Sequence, residues 1–247
     1  MANLKEIRNR ISSVGSTMQI TSAMKMVSAA KLKRAQDAIT QMRPYASKLK
    51  EILTNLSASL DLSDNAYSEE RDGGKVLIVG ITSNRGLCGG FNNNVIKRVN
   101  ELIQTDFKGQ DVHVLCLGKK IKDVLKRTDH FYTNDYLSVR DDVYADLTFE
   151  NIAEIGEELM SLYKSGEFSK ICVVYNQFVN AATQSVQTEQ FLPVVAPETE
   201  ESSQSGDYIF EPSKEEIVED LIPKSLKVQL FKAILDSNAA EHGARMT

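Results

Sequence analysis

Over the first sixty residues, apolar side chains recur at alternating steps of three and four: Leu4, Ile7, Ile11, Val14 and Met18, then Leu32, Ala35, Ile39, Met42, Ala46, Leu49, Leu53, Leu56 and Leu60. That spacing keeps every one of them on a single helix face, the seam of a coiled coil. Between the two apolar blocks the same seam carries Thr21, Lys25 and Ser28. Eight heptads in one phase predict an unbroken helix of roughly 85 Å, at about 1.5 Å per residue. The polar, acidic and glycine-bearing stretch DLSDNAYSEERDGGK then ends it as a surface connection.

From about Lys75 the pattern changes period. Val76 to Ile81 is a continuous apolar run, followed by the glycine-rich turn Thr82 to Gly90 and a helical pattern with Val95, Ile96, Val99, Leu102 and Ile103 on one face. The unit recurs as Val112 to Leu117 with Ile121, Val124 and Leu125 behind it, and His130 to Thr133 is a short third strand. Thr148 suits the N-cap of a helix carrying Ile152, Ile155, Leu159, Met160 and Leu162. Ile171 to Tyr175 is a buried strand, and the polar, β-favouring Thr183 to Phe191 returns beside it as an antiparallel edge. Alternating β and α units predict a mostly parallel sheet covered by helices, a Rossmann-like α/β domain over residues 75–212.

Within it, residues 197–207 form an acidic, serine-rich loop. Ser213 and Glu216 make a capping box for a helix that Pro223 is expected to interrupt. A second helical pattern follows, with Leu226, Leu230, Ala233, Ser237, Ala240 and Ala244 on another heptad seam. An uncovered apolar stripe is an aggregation hazard, so residues 1–60 and 213–247 are expected to pair as an antiparallel coiled coil around the α/β domain. About 25 residues after Pro223 reach only roughly 37 Å, which leaves residues 1–30 without a partner in the chain.

Composition narrows the class. With 247 residues and 42% hydrophobic content, the chain can build one large or two small cores. No run approaches the roughly 18 apolar residues that cross a bilayer, and MANLKEIRNR has no signal-like apolar core, which predicts a soluble, cytoplasmic chain without direct membrane insertion. Cys88, Cys116 and Cys172 are odd in number and widely spaced, so they are read as reduced and buried. Residues 1–60 hold ten Lys or Arg against three acids, a charge of +7 in a chain of −5, which leaves −12 elsewhere. A basic rod on an acidic body points to an acidic partner surface for the rod.

Candidate chemistry is sparse. The loop from Ser83 to Asn92 sits where α/β folds hold phosphate, yet it has neither a Gly-Lys-Ser/Thr nor the G-x-G-x-x-G spacing. A structural or partner-contact turn is the favoured reading over a nucleotide site. Cys88 has no histidine poised beside it in sequence, and His242 reads as a surface or seam residue. No catalytic, cofactor or metal site is expected. Met18, Met24, Met26 and Met42 line the long helix; around Met24 and Met26 the polar seam residues suit a sliding contact better than a core.

Six blocks carry a resemblance: IRNRISSV from Ile7, QITSAMKMVSAAKLKRAQ from Gln19, RPYA from Arg43, SNRGLCGGFN from Ser83, YIFEPS from Tyr208 and AAEHGARM from Ala239. Spread in order along the chain, they make it resemble the gamma subunit of bacterial F-type ATP synthases. The resemblance implies a coiled-coil shaft inside a ring of alpha and beta subunits. The globular domain would sit with the epsilon subunit on the membrane c-ring, at the cytoplasmic face of the inner membrane. It implies a rotor that couples proton flow to ATP synthesis, with no active site, cofactor or nucleic-acid partner of its own. By position it places Arg8, Met24, Lys25, Met26, Lys31 and Lys33 against the alpha/beta ring, where the beta subunits offer an acidic lever. Tyr208 and Glu211 would face epsilon and the c-ring. Departures from the family pattern are Gly15 in mid-helix, Gln19 for Lys, Asn84 for Asp and Gly243 for Ala. The family also continues several helical turns past Met246, so a truncated C-terminal helix is expected. A ligand-binding α/β domain with coiled-coil oligomerisation, and a non-motor adaptor that self-associates through residues 1–30, are the competing expectations.

Overall fold

The computed structural model describes residues 3–57, 65–71, 73–139, 143–194 and 214–247. Helix α1 runs Leu4–Ser57, 54 residues without a break, or about 81 Å at helical rise. Pro44 lies inside it; Thr40, whose carbonyl loses its bond to the missing N–H, is exposed, so water can replace that bond. Strand β1 (Val76–Ile81) leads to α2 (Phe91–Gln104), β2 (Val112–Leu117), α3 (Lys119–Leu125), β3 (Phe131–Tyr132) and α4 (Phe149–Lys164). Thr148 caps α4, accepting from the Asn151 N–H at 3.5 Å. Strands β4 (Lys170–Phe178) and β5 (Gln184–Leu192) follow, and α5 spans Lys214–Met246.

The five strands lie in the order β3-β2-β1-β4-β5. All neighbours are parallel except β4 and β5, which fits the polar, edge-like pattern of the last strand. Successive side chains of β1 point to opposite faces. Leu77, Val79 and Ile81 join α4 and α5, whereas Val76 and Ile78 join α2 and α3. Burial on both faces explains why β1 and β2 read as unbroken apolar runs.

Two expectations need correcting at the C-terminus. Pro223 does not interrupt: α5 is one helix of 33 residues with the proline inside. Its neighbours Ile222 and Leu226 are buried in the main core, and Glu219, whose carbonyl loses its partner, is exposed; packing and solvent together offset the missing bond. Nor is α5 only a coiled-coil strand. Leu226, Leu230, Ala233 and Ile234 pack in the cluster of α4 and the sheet, while Leu235, Ala239 and Ala240 pack with Leu32, Ala35 and Ile39 of α1. A helix wedged between two layers is buried nearly all round. The capping residue Ser213, the loop 197–207 and the seam residue Leu60 lie outside the described residues.

The pairing of α1 and α5 is antiparallel, as the positions of their contacts show. Arg43 bonds Asp236, and Ala46, Lys50 and Leu53 line one cleft with Leu226, Gln229 and Lys232.

Candidate functional site

The part of α1 that α5 leaves uncovered is the candidate site. Leu4, Ile7, Ile11, Val14 and Met18 of the seam are exposed, and so are Ile20, Met26 and Val27 off it. Full burial begins at Ser28, which is only 5% exposed, so the last of the three polar seam residues marks where the rod enters the body. Between Ile11 and Met24 the helix carries no charged side chain at all. Its two threonine hydroxyls turn back onto the helix: Thr17 Oγ1 donates to the Ser13 carbonyl at 2.9 Å and Thr21 Oγ1 to the Thr17 carbonyl at 3.0 Å. Those two groups ask no hydrogen bond of a neighbour. Cations flank it, Lys5, Arg8 and Arg10 toward the tip and Lys25, Lys31, Lys33 and Arg34 toward the body.

Arg8, Lys25 and Lys31 are exposed, Met26 is 67% exposed and Met24 is half-buried. Lys33 is exposed too, but its Nζ pairs with Asp37 on the same helix at 2.8 Å, so it is less available than its neighbours. Tyr208 and Glu211 lie outside the described residues.

Where the rod enters the body, the glycine-rich turn closes on it. The Ser83 N–H donates to Asn92 Oδ1 at 2.9 Å, Ser83 Oγ to the Arg85 carbonyl at 2.6 Å, and Asn92 Nδ2 to Cys88 Sγ at 3.0 Å. The first backbone donors of α3 are taken as well: Lys119 N–H by Asn84 Oδ1 at 3.0 Å, Lys120 N–H by the Ser83 carbonyl at 3.1 Å, Ile121 N–H by Thr82 Oγ1 at 3.1 Å. The Ser83 and Asn92 side chains of the turn and the first donors of α3 are thus engaged inside the protein. Cys88 and Phe91 pack on Leu32, Ala35 and Ile39 of α1. Arg245 on α5 donates to the Gly86 carbonyl at 2.7 Å and the Arg85 carbonyl at 3.1 Å, and is held by Glu241 at 2.8 Å. At the tip, Leu87 stands 80% exposed with φ +62°, a conformation rare for a branched side chain.

The crevice between β1 and β4, where the strand order reverses and α/β folds take ligands, is likewise filled. A Cβ on Gly243 of α5 would sit 3.3 Å from Ala181 and the Phe178 ring, and Asn176 Nδ2 donates to the Phe91 carbonyl at 2.9 Å. No acid–base pair is poised there. Burial, with Lys31 and Arg245 adding to it, pushes His242 down to about 4, while burial pushes Glu241 up against the pull of Arg245. Burial also raises the Cys172 thiol to about 11, and no metal-binding cluster occurs among the described residues. No helix among them is long and apolar enough to cross a membrane.

Sequence reasoning did not single out one pair. Arg43 Nη2 donates to Asp236 Oδ1 at 2.7 Å and to the Phe178 carbonyl at 2.8 Å; the Asp236 side chain is wholly buried. An aspartate inside an apolar helix face was the available signal.

The chain matches the sequence model of the ATP synthase family over residues 3–247. It is 61% identical over 249 residues to the ATP synthase gamma chain of Flavobacterium johnsoniae, across 100% of this chain and 85% of that protein. To the gamma chain of Chlorobaculum parvum it is 42% identical over 251 residues, with the same coverage. Among solved structures, it is similar to a chain in the central stalk and c-ring of the Tetrahymena thermophila mitochondrial ATP synthase. The TM-score is 0.61 at 22% identity, covering 92% of this chain and 96% of that one, a likeness of fold.

Proposed function

Since this chain belongs to the ATP synthase gamma-chain family, we propose that it is the rotor of the central stalk, carrying rotation between the membrane sector and the alpha/beta ring. One observation carries the reading: a 54-residue helix whose later half is clamped to the body while its first half stands clear, apolar, uncharged in the middle and cationic at both ends. The chain has no catalytic site of its own. Its work is differential binding: an asymmetric shaft that favours one state of a beta site over another must supply that difference as mechanical work when it turns. A charge-free surface of apolar and small polar side chains lets the ring slide past. The cations give it electrostatic footholds.

In this reading Arg8 and the group Met24, Lys25, Met26, Lys31 and Lys33 meet the alpha/beta ring, with the lysines against the acidic lever of the beta subunits. Tyr208 and Glu211 meet the epsilon subunit and c-ring. The protein is a peripheral subunit of a membrane-bound complex, on the cytoplasmic face of the inner membrane. The test is reconstitution with the alpha, beta, epsilon and membrane-sector subunits. ATP-driven proton pumping should depend on this chain, and equal pumping without it would sink the proposal. The ligand-binding alternative predicts heat on calorimetric titration with ATP, NAD or FMN. The lack of a phosphate motif in the loop, and the packing of its Cys88 and the adjoining Phe91 on α1, argue for none.

A further inference from the structure

Resting on the rotor reading, we propose that Arg43 and Asp236 form a keyed joint that fixes the angle of the shaft on the α/β body, with Arg43 as a positioning residue for torque transfer. The seam holding α1 to α5 mixes large side chains, Leu32, Ile39 and Met42 with Phe231 and Leu235, and small ones, Ala35, Ala38 and Ala46 facing a helix with Ala239, Ala240 and Ala244. Apolar packing is non-directional, and where the side chains are small it interlocks poorly, so a directional bond adds angular definition that packing alone does not. Torque on the free half of α1 needs a directional tie to the sheet. Arg43 of α1 hydrogen-bonds both α5 and a strand, through the same nitrogen: Nη2 to Asp236 Oδ1 at 2.7 Å and to the Phe178 carbonyl at 2.8 Å.

That carbonyl ends β4, so one guanidinium ties three layers together. The arrangement is poor as a stability device. Arg43 Nε and Asp236 Oδ2 are both buried with no hydrogen-bond partner, and burial pushes the Asp236 carboxyl up despite the adjacent guanidinium. Buried ion pairs are often no better than an apolar pair of similar shape for stability, and their attested value is register.

The experiment compares Arg43→Met, Asp236→Leu and the double variant in the assembled complex. Arg43→Met strands the wholly buried Asp236 carboxylate and lowers Tm; Asp236→Leu costs less, because the Arg43 side chain is 41% exposed and can turn to water; the double variant regains what Arg43→Met loses. If the pair is a joint, the double variant pumps fewer protons per ATP hydrolysed, by about twofold or more, although its stability is restored. Pumping at the parent ratio overturns the joint. Spin labels on the exposed Thr40 and Ala182 give an independent readout: their distance distribution broadens in the double variant, and an unchanged distribution also overturns it. Should the parent chain itself fail to support pumping, the rotor reading fails, and the label distances still judge the joint.

Discussion

Gly118 has no room for a side chain: at φ +110° an added Cβ would lie 2.0 Å from the Thr82 carbonyl oxygen. Gly118→Ala should therefore cost at least about 2 kcal/mol, read by urea unfolding. A loss below half that would contradict the geometry. Gly15 is the opposite case, since its Cβ would meet nothing within 4 Å. Gly15→Ala should stiffen the free half of α1, with a gain of about 1 kcal/mol in helix propensity seen as slower amide exchange around it. His242 links a residue to pH. Its native value is pushed from 6.5 down to about 4, so between those values the unfolded chain binds more protons and stability falls as pH drops through that window. Glu241 and Asp236, both pushed up, take their protons earlier in the native state and oppose that loss as pH falls. His242→Gln should lose less stability than the parent between pH 7 and pH 5, measured by urea unfolding at each pH. Equal losses would show that another group governs the slope.

Helix α1 is one element with two surfaces. Lys25 and Lys31 stand exposed where the shaft leaves the body, whereas Lys33 is already paired with Asp37. Reversing Lys25 and Lys31 to Glu leaves the packing seam from Leu32 onward untouched. Complex yield should hold while ATP-driven pumping falls several-fold; Lys33→Glu alone should do less. Failure to assemble with a normal pumping ratio in the residual complexes would contradict this. The element's existence was legible from its heptads, and so were β1 and β2 from their apolar runs. The course of α5 through Pro223 was not, because local chemistry argues for a stop there. Ile222 and Leu226, buried in a core built from distant residues, hold the helix across it.

At the scale of the molecule, charge and shape are divided: +7 lies in the first sixty residues and −12 in the rest. Association of the shaft with the ring should weaken as salt rises and then level off. Under the proposed reading the lysines act through charge, which salt screens over a Debye length of about 8 Å at physiological ionic strength, whereas the charge-free band from Ile11 to Met24 is not screened. Titration against the alpha/beta ring at increasing salt would show it, and a salt-independent affinity would remove the electrostatic foothold. By itself the sequence determined the rod, its polar interruption, the strand-loop-helix units and the absence of a phosphate motif, because period and turn chemistry are local properties of the chain. Only the tertiary structure decided that full burial begins at Ser28, that α5 is wedged between rod and sheet, that Ser83 and Asn92 of the glycine turn bond within it, and that Arg43 meets Asp236. Each of these depends on which groups, far apart in the chain, are brought together and stripped of water, and no spacing along a sequence records that.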